Sequence, residues 1–332
     1  MVRVVDDQTN PSAHPPVAVY TDWGELDITP GVDLLERSGW QVRTVGSTDS
    51  EAIVAAAPDA VAVCVGYARL GRETLERLAC TRIVSTLSAG VDMVDVEAAH
   101  ELGIWVANIP DAATEEVSSH AVAMALALVR HLPRLDREVR AGAWALDVLD
   151  PPRLPQTLTF AILGLGRIGR RAAELAHGIF GRVVAHDPFI DDDAWPAGVE
   201  RVELEKLLAT ADVLSLHMPL VPDSERPLDG DRLSQLPAGA FVVNVSRGEL
   251  IDHAALLAAL DDGHVAGAAL DVLEAEPPPP DHPILSHPRV LLTPHAAFLS
   301  DRSARAYPLR QAENVLAWQR TGRPVTPVGG RP

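Results

Sequence analysis

Lysine is almost missing from this chain. Of its 28 basic residues only Lys206 is a lysine; the others are arginines. A phosphate loop of the G-x-x-x-x-G-K-[ST] type and a Schiff-base enzyme both need a lysine in a defined context. Lys206 lies in "VELEKLLATAD", the pattern of an amphipathic helix, so both classes are excluded. Cysteine is scarce as well. Cys64 and Cys80 belong to no CxxC or Cys/His cluster, which argues against a zinc site and a disulfide framework, and no metal centre is expected. Cys64, inside "AVAVCVG", reads as a small buried apolar residue. No apolar run reaches eighteen residues, so no membrane span is expected. Net positive charge is absent too: the formal charge is −18, against the basic face that nucleic acid requires. The opening "MVRVVDDQTNPSAHPP" has no apolar core of signal-peptide length and reads as a loose tail on a cytoplasmic protein.

What the chain does have is globular composition over 332 residues, 47% hydrophobic and 22% charged, which suits two domains. In the first third, short apolar runs alternate with helical patterns. "VAVYTDW" (17–23), "QVRTV", "AVAVCVG" (60–66), "RIVSTLS" (82–88) and "IWVANI" (104–109) read as strands. "GVDLLERSGW" and the segments 72–79 and 94–102 read as helices. Such alternation predicts a parallel, doubly wound sheet.

A long helical stretch follows over 114–144, with Thr114 as a candidate cap and Glu115 and Glu116 at its positive end. Its middle, "AVAMALALV", is apolar on every face, which predicts burial in a core or, as favoured here, against a second subunit in a homodimer. "DPPRLP" (150–155) reads as a linker. A second α/β unit then runs through "LTFAILGLG", "RVVAHDP" (182–188), "DVLSLHMP" (212–219), "AFVVNVSRG" (240–248), "VAGAALDVL" (265–273) and "RVLLTPH" (289–295). "AEPPPPDHP" (275–283) is a proline-stiffened loop. The C-terminal "DRSARAYPLRQAENVLAWQRTG" reads as a helix broken near Pro308.

Two features carry chemistry. "ILGLGRIGRR" sets Gly164, Gly166 and Gly169 in G-x-G-x-x-G spacing, with Arg167 and Ile168 between the second and third. The first glycine permits a tight turn, the second lets backbone approach a pyrophosphate, and the third lets helix pack on strand. Free N–H groups at the helix start suit the phosphates. Asp187 stands eighteen residues past Gly169 at the end of the next strand, placed to bond ribose hydroxyls and repel a 2′-phosphate. This predicts NAD over NADP. The second feature is what ends the later strands: His217, Arg247, Asp271 and His295 all fall at or just past carboxyl ends, where doubly wound sheets bind ligands. Arg247 needs an anion, either a ligand or a structural carboxylate. His295 ends a strand that reads as fully buried, and is either a core histidine or a functional one.

With "TEEVSSHA", "VNVSRGELID", "AALDVLEAEP" and "LLTPHAAF", the chain resembles the NAD-dependent D-2-hydroxyacid dehydrogenases over nearly its whole length. Phrases such as "VGYARLGRETLERL" and "PHAAFLSDRS" are most similar to the branch that contains the C-terminal-binding-protein corepressors. The resemblance implies a catalytic set of Arg247 in the "NxxRG" turn, Glu276 before proline, and His295 in "TPH"; Glu274 is a nearby decoy. Chemistry agrees: reducing a 2-oxo acid needs a carboxylate anchor, a proton and a hydride. Arg247 can fork onto the carboxylate, His295 can deliver the proton, and Glu276 can orient the imidazole and raise its proton affinity.

The resemblance further implies that Asp271 meets the nicotinamide carboxamide and that Val245, Ser246, His217 and Pro219 line the cofactor. It places Ser88, Ala89 and Gly90 of "STLSAGVD" as backbone donors to the substrate carboxylate, with Tyr67 facing the substrate. Phe298 stands where the corepressor branch usually has tryptophan, so the pocket is expected to differ in size. His120 fits the family helix pattern or a packing role. Val221 departs from the common "PLT". The expected fold is α/β, two doubly wound parallel-sheet domains of Rossmann and flavodoxin type with a cleft between them. The substrate domain is 1–110 plus 300–332 and the NAD domain 111–299. Arg69, Arg302 and Arg305 would suit a second anionic group on the substrate, such as phosphate or phosphonate, or are solvated surface arginines. The competing expectation is an NAD(H)-responsive, corepressor-like binding protein in which turnover is incidental. A formate-type enzyme is disfavoured by Glu276, where those relatives carry glutamine.

Overall fold

The computed structural model describes residues 14–145, 151–220, 226–330 and 332. They form two compact units, one made of the described residues up to 112 and from 301 onward, the other of those between 113 and 300. The sequence places these divisions at 110/111 and 299/300. Residues 1–13 of the expected tail, Asp150 of the expected linker and Val221 lie outside the described residues.

The first unit holds β1 (Val17–Tyr20), α1 (Thr29–Arg37), β2 (Gln41–Thr44), α2 (Ser50–Ala56), β3 (Ala60–Val65), α3 (Arg72–Arg77), β4 (Ile83–Thr86), α4 (Val96–Glu101) and β5 (Trp105–Ala107). Its sheet is parallel throughout in the order β2-β1-β3-β4-β5. Strands β1 and β4 are buried along their whole length and β3 nearly so, which is why they read as continuous apolar runs rather than alternations. Helix α2 leaves little trace in the sequence, because only Ile53 of its seven residues is buried. Its start is fixed by Asp49, whose carboxylate accepts from Ala52 N.

The second unit begins with α5 (Thr114–Val129) and α6 (Leu132–Arg140). The expected single helix over 114–144 is therefore two. The break is at His131, whose φ of 54° is left-handed. Nor does Thr114 cap α5: it is the first helical residue, after Ala113. There follow β6 (Thr159–Leu163), α7 (Arg167–Ala176), β7 (Arg182–His186), β8 (Glu200–Arg201), α8 (Leu204–Thr210), β9 (Val213–Leu216), α9 (Gly230–Ser234), β10 (Ala240–Asn244), α10 (His253–Asp261), β11 (Val265–Leu270) and β12 (Val290–Leu292). This sheet too is parallel, in the order β12-β11-β10-β9-β6-β7-β8. The order reverses between β6 and β9, and the crevice outside the carboxyl ends there is the ligand position of such sheets. One face of the sheet is covered by a core that includes Leu214, Leu216, Val242, Leu256, Leu260 and Leu270. Strand β12, expected to be fully buried, is the sheet edge and is only partly buried.

The last helix, α11 (Asp301–Thr321), belongs to the first unit and runs through Pro308 without the expected break. Proline removes one intrahelical bond at a cost of about 3 kcal/mol. Packing offsets that cost: Tyr307, Pro308, Gln311, Ala312 and Val315 are all buried. A side chain at Gly31 would collide with the Pro308 carbonyl oxygen, so α1 approaches α11 at this point as only glycine permits. Gln311 Nε2 donates to Ser85 O at 2.8 Å and Ser85 Oγ donates back to Gln311 O at 3.0 Å, fixing α11 on β4. Among the described residues no helix is long and apolar enough to cross a membrane.

Candidate active site

The glycine turn lies between β6 and α7, and its three glycines meet three different demands. Gly164 has φ +93°, and a Cβ there would lie 2.7 Å from Met218 N. A Cβ on Gly169 would collide with the Gly164 carbonyl oxygen. At Gly166 a Cβ would meet nothing within 4 Å among the described residues. Two glycines thus permit close packing and the third leaves open space at the helix start, beside Arg167 and Ile168. That is the cradle a dinucleotide pyrophosphate needs. Asp187, just past β7, accepts from Leu165 N at 2.7 Å through Oδ2 and from Phe189 N at 2.9 Å through Oδ1. Each oxygen keeps a further lone pair.

His217 follows β9 and its backbone N–H bonds Leu163 O, beside the turn. Ser215 Oγ and His217 Nε2 are 2.8 Å apart. Nδ1 is buried with no partner among the described residues. Burial pushes this imidazole down from 6.5 to about 4, so it is neutral at physiological pH. Pro219, two residues on, is exposed.

Beyond β10 the chain makes the turn that carries Arg247. Asn244, fully buried, braces it in two directions: Nδ2 donates to Arg247 O at 2.7 Å, and Oδ1 accepts from Ser246 N at 3.0 Å. Ser246 Oγ donates to Leu216 O. Val245 is buried and Arg247 half-buried, and Arg247 Nη1 donates to Ser246 O at 2.7 Å. A Cβ on Gly248 would collide with the backbone of Leu273 and Glu274, so the Arg247 turn lies against the loop that leads to Glu276.

That loop delivers Glu276 to His295. Glu276 Oε1 accepts from Leu273 N at 2.8 Å, and Oε2 lies 2.7 Å from His295 Nδ1. Both side chains are about a third exposed, at 35% and 32%. Burial pushes the Glu276 carboxyl up, but the His295 bond and charge, the Leu273 N–H and the charge of Arg247 together hold it below its ordinary value. It is a carboxylate at neutral pH, so Nδ1 of His295 carries the proton of their shared hydrogen bond. Glu274 points elsewhere, 2.5 Å from Arg226 Nη1 and 3.8 Å from His253 Nδ1.

Asp271 directly follows β11 and is 2% exposed. Its Oδ1 accepts from Thr293 Oγ1 at 2.5 Å and from Ala296 N at 2.8 Å; Oδ2 accepts from Ala297 N at 2.9 Å. Its carbonyl accepts from His295 N at 2.7 Å. The carboxylate therefore builds the turn in which His295 sits. Phe298 stands edge-on to the His295 ring, with centroids 6.3 Å apart.

In the first unit, Tyr67 follows β3 and is 53% exposed. The buried Asp22 shapes its loop by accepting from the N–H groups of Gly66, Tyr67 and Ala68. After β4, Ser88 Oγ donates to Gly90 O, and Asn108 Nδ2 donates to Ala89 O. The carbonyls of this loop are thereby tied back, while the N–H groups of Ser88, Ala89 and Gly90 have no acceptor among the described residues. Arg69, Arg302 and Arg305 are exposed. Among the described residues no group of three or more His, Cys, Asp or Glu is arranged to hold a metal ion. Two supporting residues, Asn244 and Asp22, are not among those the sequence singles out. Asn244 stands in the "NxxRG" turn, where its type is a usable signal.

Residues 122–297 match the family model described as D-isomer specific 2-hydroxyacid dehydrogenase, NAD binding domain. The chain belongs to this family. It is thus an oxidoreductase with a NAD-binding domain. A glyoxylate reductase from Korarchaeum cryptofilum is 38% identical over 252 residues, 75% of this chain and 76% of that one. A D-3-phosphoglycerate dehydrogenase from Archaeoglobus fulgidus is 33% identical over 80% of this chain, which spans only 51% of that relative's length. Among solved structures, D-lactate dehydrogenase from Aquifex aeolicus, complexed with NAD and lactic acid, superposes with TM-score 0.86 at 26% identity, covering 94% of this chain and 99% of that one. A glyoxylate reductase from Paecilomyes thermophila gives the same TM-score and identity, covering 95% and 98%.

Proposed function

We propose that this chain is a D-2-hydroxyacid dehydrogenase that interconverts a small 2-oxo acid and its D-2-hydroxy acid with NAD. The observation that carries the reading is the Glu276–His295 pair at 2.7 Å, with the charge of Arg247 acting on Glu276, in the unit that holds the glycine turn. Arg247 anchors the substrate carboxylate and polarises the oxo group. His295 Nε2 gives its proton to the oxo oxygen in reduction and takes it back in oxidation. Glu276 holds Nδ1–H and steadies the imidazolium.

NAD, when bound, supplies or accepts the hydride. The residues that would hold it are Gly164, Gly166, Arg167, Ile168 and Gly169 at the pyrophosphate, Asp187 at the ribose, and His217, Pro219, Val245, Ser246 and Asp271 along the remainder. In the first unit, the N–H groups of Ser88, Ala89 and Gly90 are proposed as donors to the substrate carboxylate, with Tyr67 beside them. Phe298, packed on the His295 ring, limits the substrate side chain. Arg69, Arg302 and Arg305 are the candidates for reading a second anionic group. A homodimer through 114–144 is part of the proposal. Helix α6 buries none of its side chains among the described residues, and it exposes Leu132 and Val139, with Trp144 90% exposed just beyond.

The test is loss of NADH absorbance on mixing the protein with glyoxylate, hydroxypyruvate, phenylpyruvate, 2-oxoglutarate and phosphorylated or phosphonate-bearing 2-oxo acids. Fast oxidation with one of them supports the reading. Tight NADH binding with no oxidation by any of them counts against it.

A further inference from the structure

Helix α5 carries Glu116 and His120 four residues apart, which sets both side chains on one face, a turn apart. Each reaches the segment that holds His295, at opposite ends. His120 Nε2 lies 3.1 Å from Thr293 Oγ1. Ser300 Oγ donates to Glu116 Oε1 at 2.7 Å. Between these two points His295 sits at φ 52°, a left-handed conformation that a residue with a side chain holds only where its surroundings enforce it.

Counting protons gives the first contact a direction. The Thr293 hydroxyl has one proton and donates it to Asp271 Oδ1 at 2.5 Å. Its oxygen must therefore accept from His120, whose Nε2 carries a hydrogen. Asp271 in turn accepts from Ala296 N and Ala297 N, and its carbonyl accepts from His295 N. A continuous run of hydrogen bonds thus leads from α5 through Thr293 and Asp271 to the backbone of His295 and of the two residues after it. Asp271 is 2% exposed, so the central link of this run is shielded from competing water.

We propose that Glu116 and His120 are positioning residues, a two-point clamp on α5 that holds the His295 imidazole in register with Glu276. Neither touches the reacting atoms. The effect on turnover rests on the dehydrogenase reading; the effect on His295 does not.

The experiment uses the full chain labelled with ¹⁵N-histidine. The His295 Nδ1–H bonded to Glu276 should give a low-field proton signal, assigned by its loss in His295→Gln. In His120→Ala that signal should broaden or vanish, and kcat for 2-oxo acid reduction should fall roughly tenfold to a hundredfold. The KM for NADH should stay within about twofold. His120→Gln, which keeps a donor, should restore most of both. Should His120→Ala fail to fold, Thr293→Val against Thr293→Ser makes the same comparison. A folded Glu116→Ala/His120→Ala double variant that loses thermal stability, yet keeps the His295 signal, would overturn the clamp. If the unaltered protein reduces no 2-oxo acid, the dehydrogenase reading fails while the His295 signal still decides the clamp.

Discussion

Glu276 and His295 stand nineteen residues apart in sequence, and their side chains meet at 2.7 Å between Oε2 and Nδ1. Glu276 is held below the ordinary carboxyl value against the upward push of its own burial, so its negative charge persists through neutral pH. In Glu276→Gln the anionic acceptor of His295 Nδ1–H is replaced by a neutral amide. The pH profile of reduction should then move, because the proton-transferring pair has lost its charged member. Profiles of kcat/KM in both directions check this, and an unmoved limb would mean that another group partners His295.

Cofactor choice should follow Asp187. NADH should bind more tightly than NADPH, and Asp187→Ala should shrink the ratio by on the order of tenfold or more, because it removes a like charge facing a 2′-phosphate. Fluorescence titration with both dinucleotides measures it. A ratio unchanged in the variant would show that Asp187 does not set the choice.

The glycines of the turn should separate binding from folding. Gly166→Ala adds a methyl where no described atom lies within 4 Å, so the protein should melt as before, yet bind NADH at least about tenfold less tightly. Gly169→Ala drives a methyl into the Gly164 carbonyl and should cost about 1–3 kcal/mol of stability. Thermal melts paired with NADH titrations test the contrast; equal behaviour of the two variants would refute it.

His217 should make the fold sensitive to acid. Burial lowers its value from 6.5 to about 4, so between those limits the unfolded chain takes up a proton that the folded chain refuses. Stability should therefore fall as pH drops through this window, by roughly 3 kcal/mol at most from this group, and be indifferent to it above pH 6.5. His217→Gln should flatten that part of the pH dependence, as read from urea unfolding at several pH values between about 7 and about 4.5. An unchanged slope would show that the ring is protonated at the same pH in both states.

Much of the fold and of the site is legible in the amino-acid sequence. Parallel strands buried on both faces leave apolar runs, and turns at their carboxyl ends leave short motifs. The strands and the glycine turn are therefore visible there, whereas the choice of Glu276 over Glu274 rests on the family resemblance alone. What stays hidden depends on contacts distant in sequence or on one residue's conformation. His131 ends α5 by taking a left-handed φ that histidine seldom adopts, and no composition rule marks it. Pro308 stays inside α11 because the side chains around it are buried, which outweighs proline's local preference. Strand β12 reads as buried because it is apolar, but its place at the sheet edge is a matter of topology. Asp22 and Asn244 act on backbone amides and carbonyls, leaving no partner residue type to search for.

Arg247, Glu276 and His295 together are proposed to support hydride transfer to a 2-oxo acid anchored by its carboxylate. The most direct measurement follows deuterium from C4-deuterated NADH into the product, with the best substrate of the 2-oxo acid series, in the unaltered protein and in Arg247→Ala. The expected result is deuterium on C2 of a D-2-hydroxy acid, and a kcat/KM lower by on the order of a hundredfold or more in the variant. Product without deuterium at C2, or near-normal turnover in Arg247→Ala, would contradict it.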